Sequence, residues 1–415
     1  MRRVILLSAL AFLCSRPAIA QQKDLTLDDL YAPGAYTRFS GTTAARLSFI
    51  DDPWLDSAHY LWPNDDQAAA GWLKVEARSG SAAPLYDRDA MIAALLKLPG
   101  VARAPATAAS RRPSRFNPAR NAFLLTIGSD LFYYDFQAKV AVRLTESMSV
   151  KEEPDFSPDG KLVSFVADGN LFVTNIASRR TRQLTSDGDR DHLNGILDWV
   201  YSEELYGRGN HRGYWWSPDS SQIAFLRFDE TGVPSYPVVD DLAYHPAVDA
   251  MRYPKAGDPN PRVTLAIVGA ASGAARSIDT SKYQDVLIVD AGWTPDSRAV
   301  AYQVQDRKQS WLDFNFGNRL TGATTTLFRE SGNAWVERWD NDSSDPIWLK
   351  DGSFLWLSER SGFRHLYHYK SSGELVRQVT SGDWEVRFVE SVDEASGWIY
   401  FSGTESGVLD LEICQ

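Results

Sequence analysis

The stretch FSPDGKLVSFVADGNLFVTNIASRRTRQLT, residues Phe156–Thr185, contains the pattern that decides the fold. An aromatic residue ends one strand, and Ser-Pro-Asp-Gly follows. In that turn proline presets φ, aspartate accepts hydrogen bonds from nearby backbone, and glycine tolerates the tight bend. Short runs rich in Val, Phe and Ile come next, separated by a second turn at Asp-Gly-Asn. The stretch therefore predicts consecutive antiparallel strands joined by tight turns.

The same unit recurs three more times, at Trp216–Val233, Trp293–Asp306 and Trp348–Thr380. Repeated sheets of about four strands at such spacings are typical of β-propellers, so the sequence predicts an all-β propeller. The copies are unevenly spaced, which indicates that at least two blades carry long insertions. One insertion contains Asp198–Arg208, and insertions of this kind are where binding and catalytic residues are usually placed.

The N-terminus has the layout of a secretory signal peptide. Two arginines precede the apolar run Val4–Leu13, and a small-residue cleavage site ends at Ala20. The run is too short to cross a bilayer comfortably, so we expect a soluble periplasmic or secreted protein, with residues 1–20 removed and no membrane span in the mature form.

Cleavage would remove three arginines and move the formal net charge from −11 to about −14. An acidic chain of this kind disfavours nucleic acid as a partner, because phosphate binding needs a basic surface. Cys414 is the only cysteine that would remain, which excludes an intrachain disulfide bond. The fold must therefore be stabilised by its hydrophobic core.

Several longer blocks resemble a known family. In chain order they are LTLDDLYAPGAY, ILDWVYSEELYGR, YWWSPDSSQIAFLRFDETGVPSY, YPKAGDPNP, AGWTPDSR and WLSERSGFRHLYHY. Together they resemble the bacterial branch of the dipeptidyl peptidase IV family of serine peptidases. The resemblance implies an eight-bladed propeller followed by an α/β-hydrolase domain, and release of N-terminal dipeptides with proline or alanine in second place. It also implies an N-terminal arm at residues 21–45 and a propeller domain at residues 46–415.

Two adjacent glutamates, Glu203 and Glu204, lie within the aromatic stretch DWVYSEELYGR. The resemblance implies that they are the paired glutamates of the family, which project from a short helix and bind the free α-ammonium group of a peptide substrate. Ser202 stands where some members have another glutamate outside that pair. Two carboxylates can meet the three donors of an ammonium group with charge-assisted hydrogen bonds. Taken alone, the pair favours a simpler interpretation as two solvated glutamates on an exposed turn. The aromatic stretch around the pair favours its interpretation as a substrate-binding site.

The nucleophile of such a peptidase is expected in a G-x-S-x-G turn, and this pattern does not occur in the 415 residues. The similar stretch Gly403–Gly407 has its serine one position too late. We therefore expect no catalytic residue in this chain, a propeller truncated at the C-terminus, and no hydrolase domain. The sequence also lacks H-E-x-x-H and paired C-x-x-C patterns, so neither a metal nor another cofactor is expected.

Two functional interpretations stay open at this point. The first is the propeller of an incomplete dipeptidyl peptidase IV-like enzyme, which recognises peptides with a free N-terminus. The alternative is a stand-alone periplasmic propeller that binds or scaffolds peptides without cleaving them. A reading frame with a serine nucleophile just downstream of codon 415 would favour the first. The resemblance leaves a homodimer possible. Animal members of the family hold the substrate carbonyl with an arginine, and no residue of this chain is assigned to that role.

Smaller stretches give further expectations. Leu85–Gly100 has apolar residues at helical spacing before a Pro-Gly stop, which predicts a helix, whereas Ala102–Arg115 is interpreted as a loop. The segments RLSFIDD and HYLWP are candidate strands of a first blade. His365 and His368 fall in a predicted blade strand, where we expect them to be structural.

Overall fold

The computed structural model describes residues 53–64, 71–242, 244–338, 346–407 and 412–414. Three predictions fall outside these residues and stay predictions: the signal peptide at residues 1–20, the N-terminal arm at residues 21–45 and the candidate strand at residues 46–52.

The described residues form a series of antiparallel sheets that follow one another along the chain. Sheets 1 and 2 contain the strands β1 His59–Asn64, β2 Gly71–Glu76, β3 Ala82–Pro84, β4 Arg115–Phe116, β5 Ala122–Ile127, β6 Asp130–Asp135 and β7 Val140–Arg143. Sheet 3 contains β8 Glu152–Phe156, β9 Leu162–Ala167, β10 Asn170–Asn175 and β11 Thr181–Gln183.

Sheet 4 carries the insertions that the uneven spacing predicts. Its strands are β12 His192–Asn194, β13 Tyr214–Trp216, β14 Gln222–Asp229, β17 Arg262–Gly269 and β18 Ala275–Ser277. A separate two-stranded hairpin interrupts it, formed by β15 Ser235–Asp240 and β16 Ala247–Arg252. The insertion between β12 and β13 contains the two adjacent glutamates.

Sheets 5 to 7 complete the described part. Sheet 5 contains β19 Val286–Trp293, β20 Ala299–Asp306, β21 Trp311–Asn318 and β22 Thr324–Ser331. Sheets 6 and 7 contain β23 Ile347–Trp348, β24 Phe354–Ser358, β25 His365–Tyr369, β26 Leu375–Gln378, β27 Val386–Asp393, β28 Trp398–Gly403 and β29 Glu412–Cys414. Within the described ranges no strand pairing joins sheet 1 to sheet 7.

The repeated turn works as its residue types predict. In sheet 3 the Ser157 hydroxyl donates to the Asp159 carboxylate at 2.7 Å, and Gly160 has a φ of +69°. The backbone N–H of Asp159 also donates to the hydroxyl of Ser220, in the equivalent turn of sheet 4, at 3.0 Å. The same bond joins the next two turns, because the N–H of Asp219 donates to the Ser297 hydroxyl at 3.1 Å.

The largest group of buried side chains involves strands of sheets 4, 5 and 6. Its aromatic members include Phe314 of β21 and Phe354 of β24, whose ring centroids are 5.5 Å apart in an edge-to-face arrangement. Such aromatic pairs bury large apolar areas and gain about 0.5–1.5 kcal/mol beyond that burial. Inner strands such as β9, β19 and β20 are buried on both faces, whereas outer strands such as β11 and β26 are exposed, as expected where successive sheets pack face to face.

Two short helices lie between sheets 1 and 2. The first, α1 Arg88–Leu95, confirms the helix predicted within Leu85–Gly100, and its N-cap Asp87 accepts from the N–H of Ala90 at 3.0 Å. The second, α2 Arg103–Ala109, shows that the loop predicted over Ala102–Arg115 was wrong at residues 103–109.

The error over Ala102–Arg115 has a physical cause. The N-cap of α2 is Ala102, which offers no capping side chain, so the sequence has no start signal there. Pro105 lies in the first turn of α2, where its missing N–H is not needed. The remaining alanines favour a helix, and Ala106 is fully buried. The candidate strand HYLWP is confirmed by β1. Across the described residues, helices long and apolar enough to cross a bilayer are absent.

Candidate functional site

The paired glutamates lie on a single turn of π-helix, Tyr201–Leu205, between β12 and β13. Asp198 precedes this turn and its buried carboxylate accepts from the backbone N–H of Val200 at 3.0 Å and of Tyr201 at 3.1 Å. The turn closes when the N–H of Tyr206 donates to the carbonyl of Tyr201 at 2.8 Å. Turns of this wide type are rare and often mark functional sites.

The turn buries its first two residues and presents the following two glutamates towards the surface. Tyr201 and Ser202 are buried, whereas Glu204 is exposed and the Glu203 side chain retains 25% of its accessible surface. The two carboxylates therefore lie at the protein surface on adjacent residues. Both can reach a ligand without unfolding the turn.

Two tyrosine hydroxyls attach the turn to sheet 5. The Tyr201 hydroxyl accepts from the backbone N–H of Ile288 at 3.0 Å, and the Tyr206 hydroxyl donates to the carbonyl of the same residue at 3.0 Å. The Tyr201 ring also packs edge-to-face on Phe228 of β14, with centroids 4.7 Å apart. The backbone of the glutamate turn is thereby fixed to two different sheets.

A third contact comes from the segment that follows β22. The Arg338 guanidinium donates to the carbonyl of Leu205, the last residue of the π-helical turn. It also lies over the ring of Tyr206, 5.0 Å from the centroid, in cation–π geometry. This arginine satisfies a carbonyl that the helical turn leaves open.

Arg208 forms an ion pair with Glu203. Its Nε lies 2.8 Å from Oε2 of Glu203, while 82% of the arginine side chain is exposed. Gly207 and Gly209 flank it with φ values of +89° and +88°, which only glycine adopts without strain. An exposed pair of this kind contributes only about 0–1 kcal/mol. A competing cation can therefore displace Arg208, a residue to which no sequence motif assigns a role.

Two further carboxylates are buried near the turn. Burial raises the pKa of Asp198 to about 6, although its hydrogen bonds from the backbone act in the opposite direction. Burial, together with the charges of Asp198 and Asp191, raises the pKa of Glu230 to about 7. Arg252 partly offsets this, but it is engaged with Asp191 through two hydrogen bonds of 2.9 Å.

The predicted structural histidines are confirmed. His365 is buried in β25 and its ring nitrogens lie 3.0 Å from the Thr380 hydroxyl and 3.0 Å from the Gly382 carbonyl. His368 lies in the same strand, with Nε2 2.9 Å from the Ser353 hydroxyl. Among the described residues there is no cluster of three or more His, Cys, Asp or Glu suited to a metal ion.

Comparison with known proteins gives consistent matches. The family model "Dipeptidyl peptidase IV (DPP IV) N-terminal region" matches residues 117–413. A probable dipeptidyl peptidase 4 of Aspergillus flavus is 32% identical over 303 residues, covering 66% of this chain and 38% of that protein. The dipeptidyl peptidase 4 of Arthroderma otae is 29% identical over 292 residues, which cover 67% of this chain and 37% of that protein.

A solved structure agrees with these matches. The crystal structure of Porphyromonas gingivalis dipeptidyl peptidase 4 matches with a TM-score of 0.72 at 25% identity, over 87% of this chain and 50% of that one. The present chain thus spans half of that structure and less than two fifths of the curated relatives named above. With the run of antiparallel sheets, these matches confirm the all-β propeller architecture. The chain belongs to the dipeptidyl peptidase IV N-terminal region family.

Proposed function

We propose that this chain is the substrate-recognition propeller of a periplasmic or secreted dipeptidyl peptidase IV-type serine peptidase, and that Glu203 and Glu204 bind the free N-terminus of its peptides. The observation that carries the proposal is the π-helical turn, which holds two adjacent carboxylates at the surface on a backbone anchored through Tyr201 and Tyr206. Adjacent like charges repel each other, so folding gains nothing from the pair itself.

The chemistry of an N-terminal ammonium group fits this arrangement. The group has three N–H donors and one positive charge, and Glu203 and Glu204 supply two anionic acceptors. Each charge-assisted hydrogen bond contributes about 1.5–3 kcal/mol. That exceeds the value of an exposed ion pair such as Arg208–Glu203, so an ammonium group can replace the guanidinium.

Acetylation of a peptide's N-terminus is expected to abolish this recognition. A pentapeptide that begins Ala-Pro should bind the chain at least about 100-fold more tightly than its N-acetylated form, because the acetylated form loses two charge-assisted contacts and leaves the carboxylates unpaired. Isothermal titration calorimetry of both peptides at one ionic strength measures the ratio. Equal affinities would contradict the proposal.

Bond cleavage is not expected from these 415 residues alone. They contain no G-x-S-x-G turn, so we propose that they contribute recognition while an α/β-hydrolase domain of the family supplies the nucleophile. The purified chain should release no chromophore from Gly-Pro or Ala-Pro p-nitroanilide in an absorbance assay. Turnover that co-purifies with the chain and disappears after one Ser→Ala change within residues 21–415 would show that a nucleophile is present.

A further inference from the structure

Ile288 occupies a special position in sheet 5. It lies in β19, which among the described residues pairs only with β20, so the other edge of β19 presents its backbone groups to whatever packs there. The pairing of β19 with β20 is interrupted by a bulge between Ile288 and Asp290. Edge strands and bulges leave N–H and C=O groups in need of partners, and Ile288 itself is almost completely buried. Water is therefore a poor source of those partners.

Both polar backbone groups of Ile288 are satisfied by the glutamate turn. Its N–H donates to the Tyr201 hydroxyl and its carbonyl accepts from the Tyr206 hydroxyl, each at 3.0 Å. The two tyrosines stand on either side of Glu203 and Glu204 in the chain. One residue of sheet 5 thus holds the turn at two points, before and after the carboxylates.

The glutamates themselves have little else to fix them. The ion pair between Glu203 and Arg208 involves an arginine that is mostly exposed, so it orients the carboxylate weakly. Glu204 is exposed. The positions of the two carboxylates must then come from the backbone of the turn. That backbone is held by the two tyrosine hydroxyls, by the Asp198 cap and by the Arg338 guanidinium on the Leu205 carbonyl.

We propose that Tyr201 and Tyr206 are positioning residues for recognition of the peptide N-terminus: by binding the two backbone groups of Ile288, they hold Glu203 and Glu204 at the spacing that one ammonium group needs. The inference rests on the proposed function of the glutamate pair. It adds that affinity for a free N-terminus depends on hydroxyl groups that never contact the peptide. Such dependence is expected because small displacements of a charged acceptor weaken short, directional hydrogen bonds.

The variant Tyr206→Phe tests this directly. It keeps the ring on which Arg338 packs and removes only the hydroxyl that binds Ile288. The matched control is Tyr302→Phe. It removes the hydroxyl of a tyrosine in the buried cluster against which Tyr206 packs, and that hydroxyl lies 2.8 Å from the Thr324 hydroxyl rather than on the glutamate turn. Calorimetric titration with the Ala-Pro pentapeptide and its N-acetylated form gives the ratio of the two affinities for each protein.

Tyr206→Phe should weaken binding of the free-N-terminus peptide by about 2- to 12-fold, the range that corresponds to one neutral hydrogen bond, and leave binding of the acetylated peptide unchanged. Tyr302→Phe should preserve the wild-type ratio even if both variants melt at a lower temperature. If folded Tyr206→Phe keeps the wild-type ratio of affinities for the free and acetylated peptides, the inference about the tyrosines is wrong while the proposed function still stands. Equal binding of both peptides by the unmodified chain would overturn the proposed function and this inference with it.

Discussion

Replacing Glu203 and Glu204 together by glutamine is expected to reduce affinity for a free-N-terminus peptide at least about 100-fold, to the level of the acetylated peptide. Glutamine keeps the shape of each side chain and removes the negative charge that faces the ammonium group. Each single variant should lose about 10- to 150-fold, which corresponds to one charge-assisted hydrogen bond of about 1.5–3 kcal/mol. Calorimetric titration with the Ala-Pro pentapeptide measures these losses.

The control for this experiment is Glu374→Gln. Glu374 is also exposed and also paired, with Lys370 at 2.8 Å, so its replacement removes the same charge from the surface. It should leave peptide affinity unchanged. The melting temperature should change little in the glutamate-turn variants as well, because the Glu203–Arg208 pair is exposed and worth little to stability. If the variants bind the peptide normally but melt earlier, the pair is structural and the proposed function is wrong.

Glu230→Gln is expected to stabilise the fold at pH 8. Glu230 is buried and its pKa is raised from 4.5 to about 7, so the unfolded chain loses this proton at lower pH than the folded protein does. Between about pH 4.5 and 7 the folded state holds more protons, and the free energy of unfolding therefore falls as the pH rises. The free energy of unfolding is lowered by about 3 kcal/mol in total, and it stays lower by that amount above pH 7. A neutral glutamine avoids it.

Urea denaturation at pH 5 and at pH 8 checks this expectation. The gain in unfolding free energy from Glu230→Gln should be largest at pH 8 and should shrink towards pH 5. Asp130→Asn is the contrasting variant, because hydrogen bonds from Arg143 and Lys151 outweigh burial and lower the pKa of Asp130 to about 2. That variant should destabilise the protein at both pH values. A Glu230→Gln protein less stable than the wild type at pH 8 would show that the ionised carboxylate contributes favourable contacts.

Local patterns predicted the strand architecture well and the anchoring of the site poorly. Proline, aspartate and glycine shape the backbone within a few residues of their own positions. The turns at Pro158 and Pro218 therefore predict the strands on either side of them. Tyr201 and Tyr206 bind the backbone of Ile288, more than 80 residues away in sequence. A main-chain partner leaves no trace in residue type, so no motif could reveal it.

Other features of the site were hidden for related reasons. The π-helical turn is too short to establish a hydrophobic period, and Arg208 stands among glycines that suggest only a loop. The resemblance supplied Glu203 and Glu204, but neither the buried Glu230 nor its electrostatic neighbour Asp198 could be placed before the strands were arranged in space. Helix α2 was missed because Ala102 provides no capping side chain to mark its start.

The hydrogen bonds between successive turns affect cooperativity. Ser220 and Ser297 adopt φ values near +60°, which is unfavourable for a residue with a side chain, whereas Gly160 takes the same place in sheet 3 without that cost. In return, each serine hydroxyl accepts the N–H of an aspartate in the preceding sheet's turn. Sheets 3, 4 and 5 are thus linked in series, as neighbouring units are in a one-dimensional repeat. Opening of one sheet therefore weakens the adjacent sheet first. Sheet 4 is bonded to both of its neighbours, so its unfolding would uncouple sheet 3 from sheet 5.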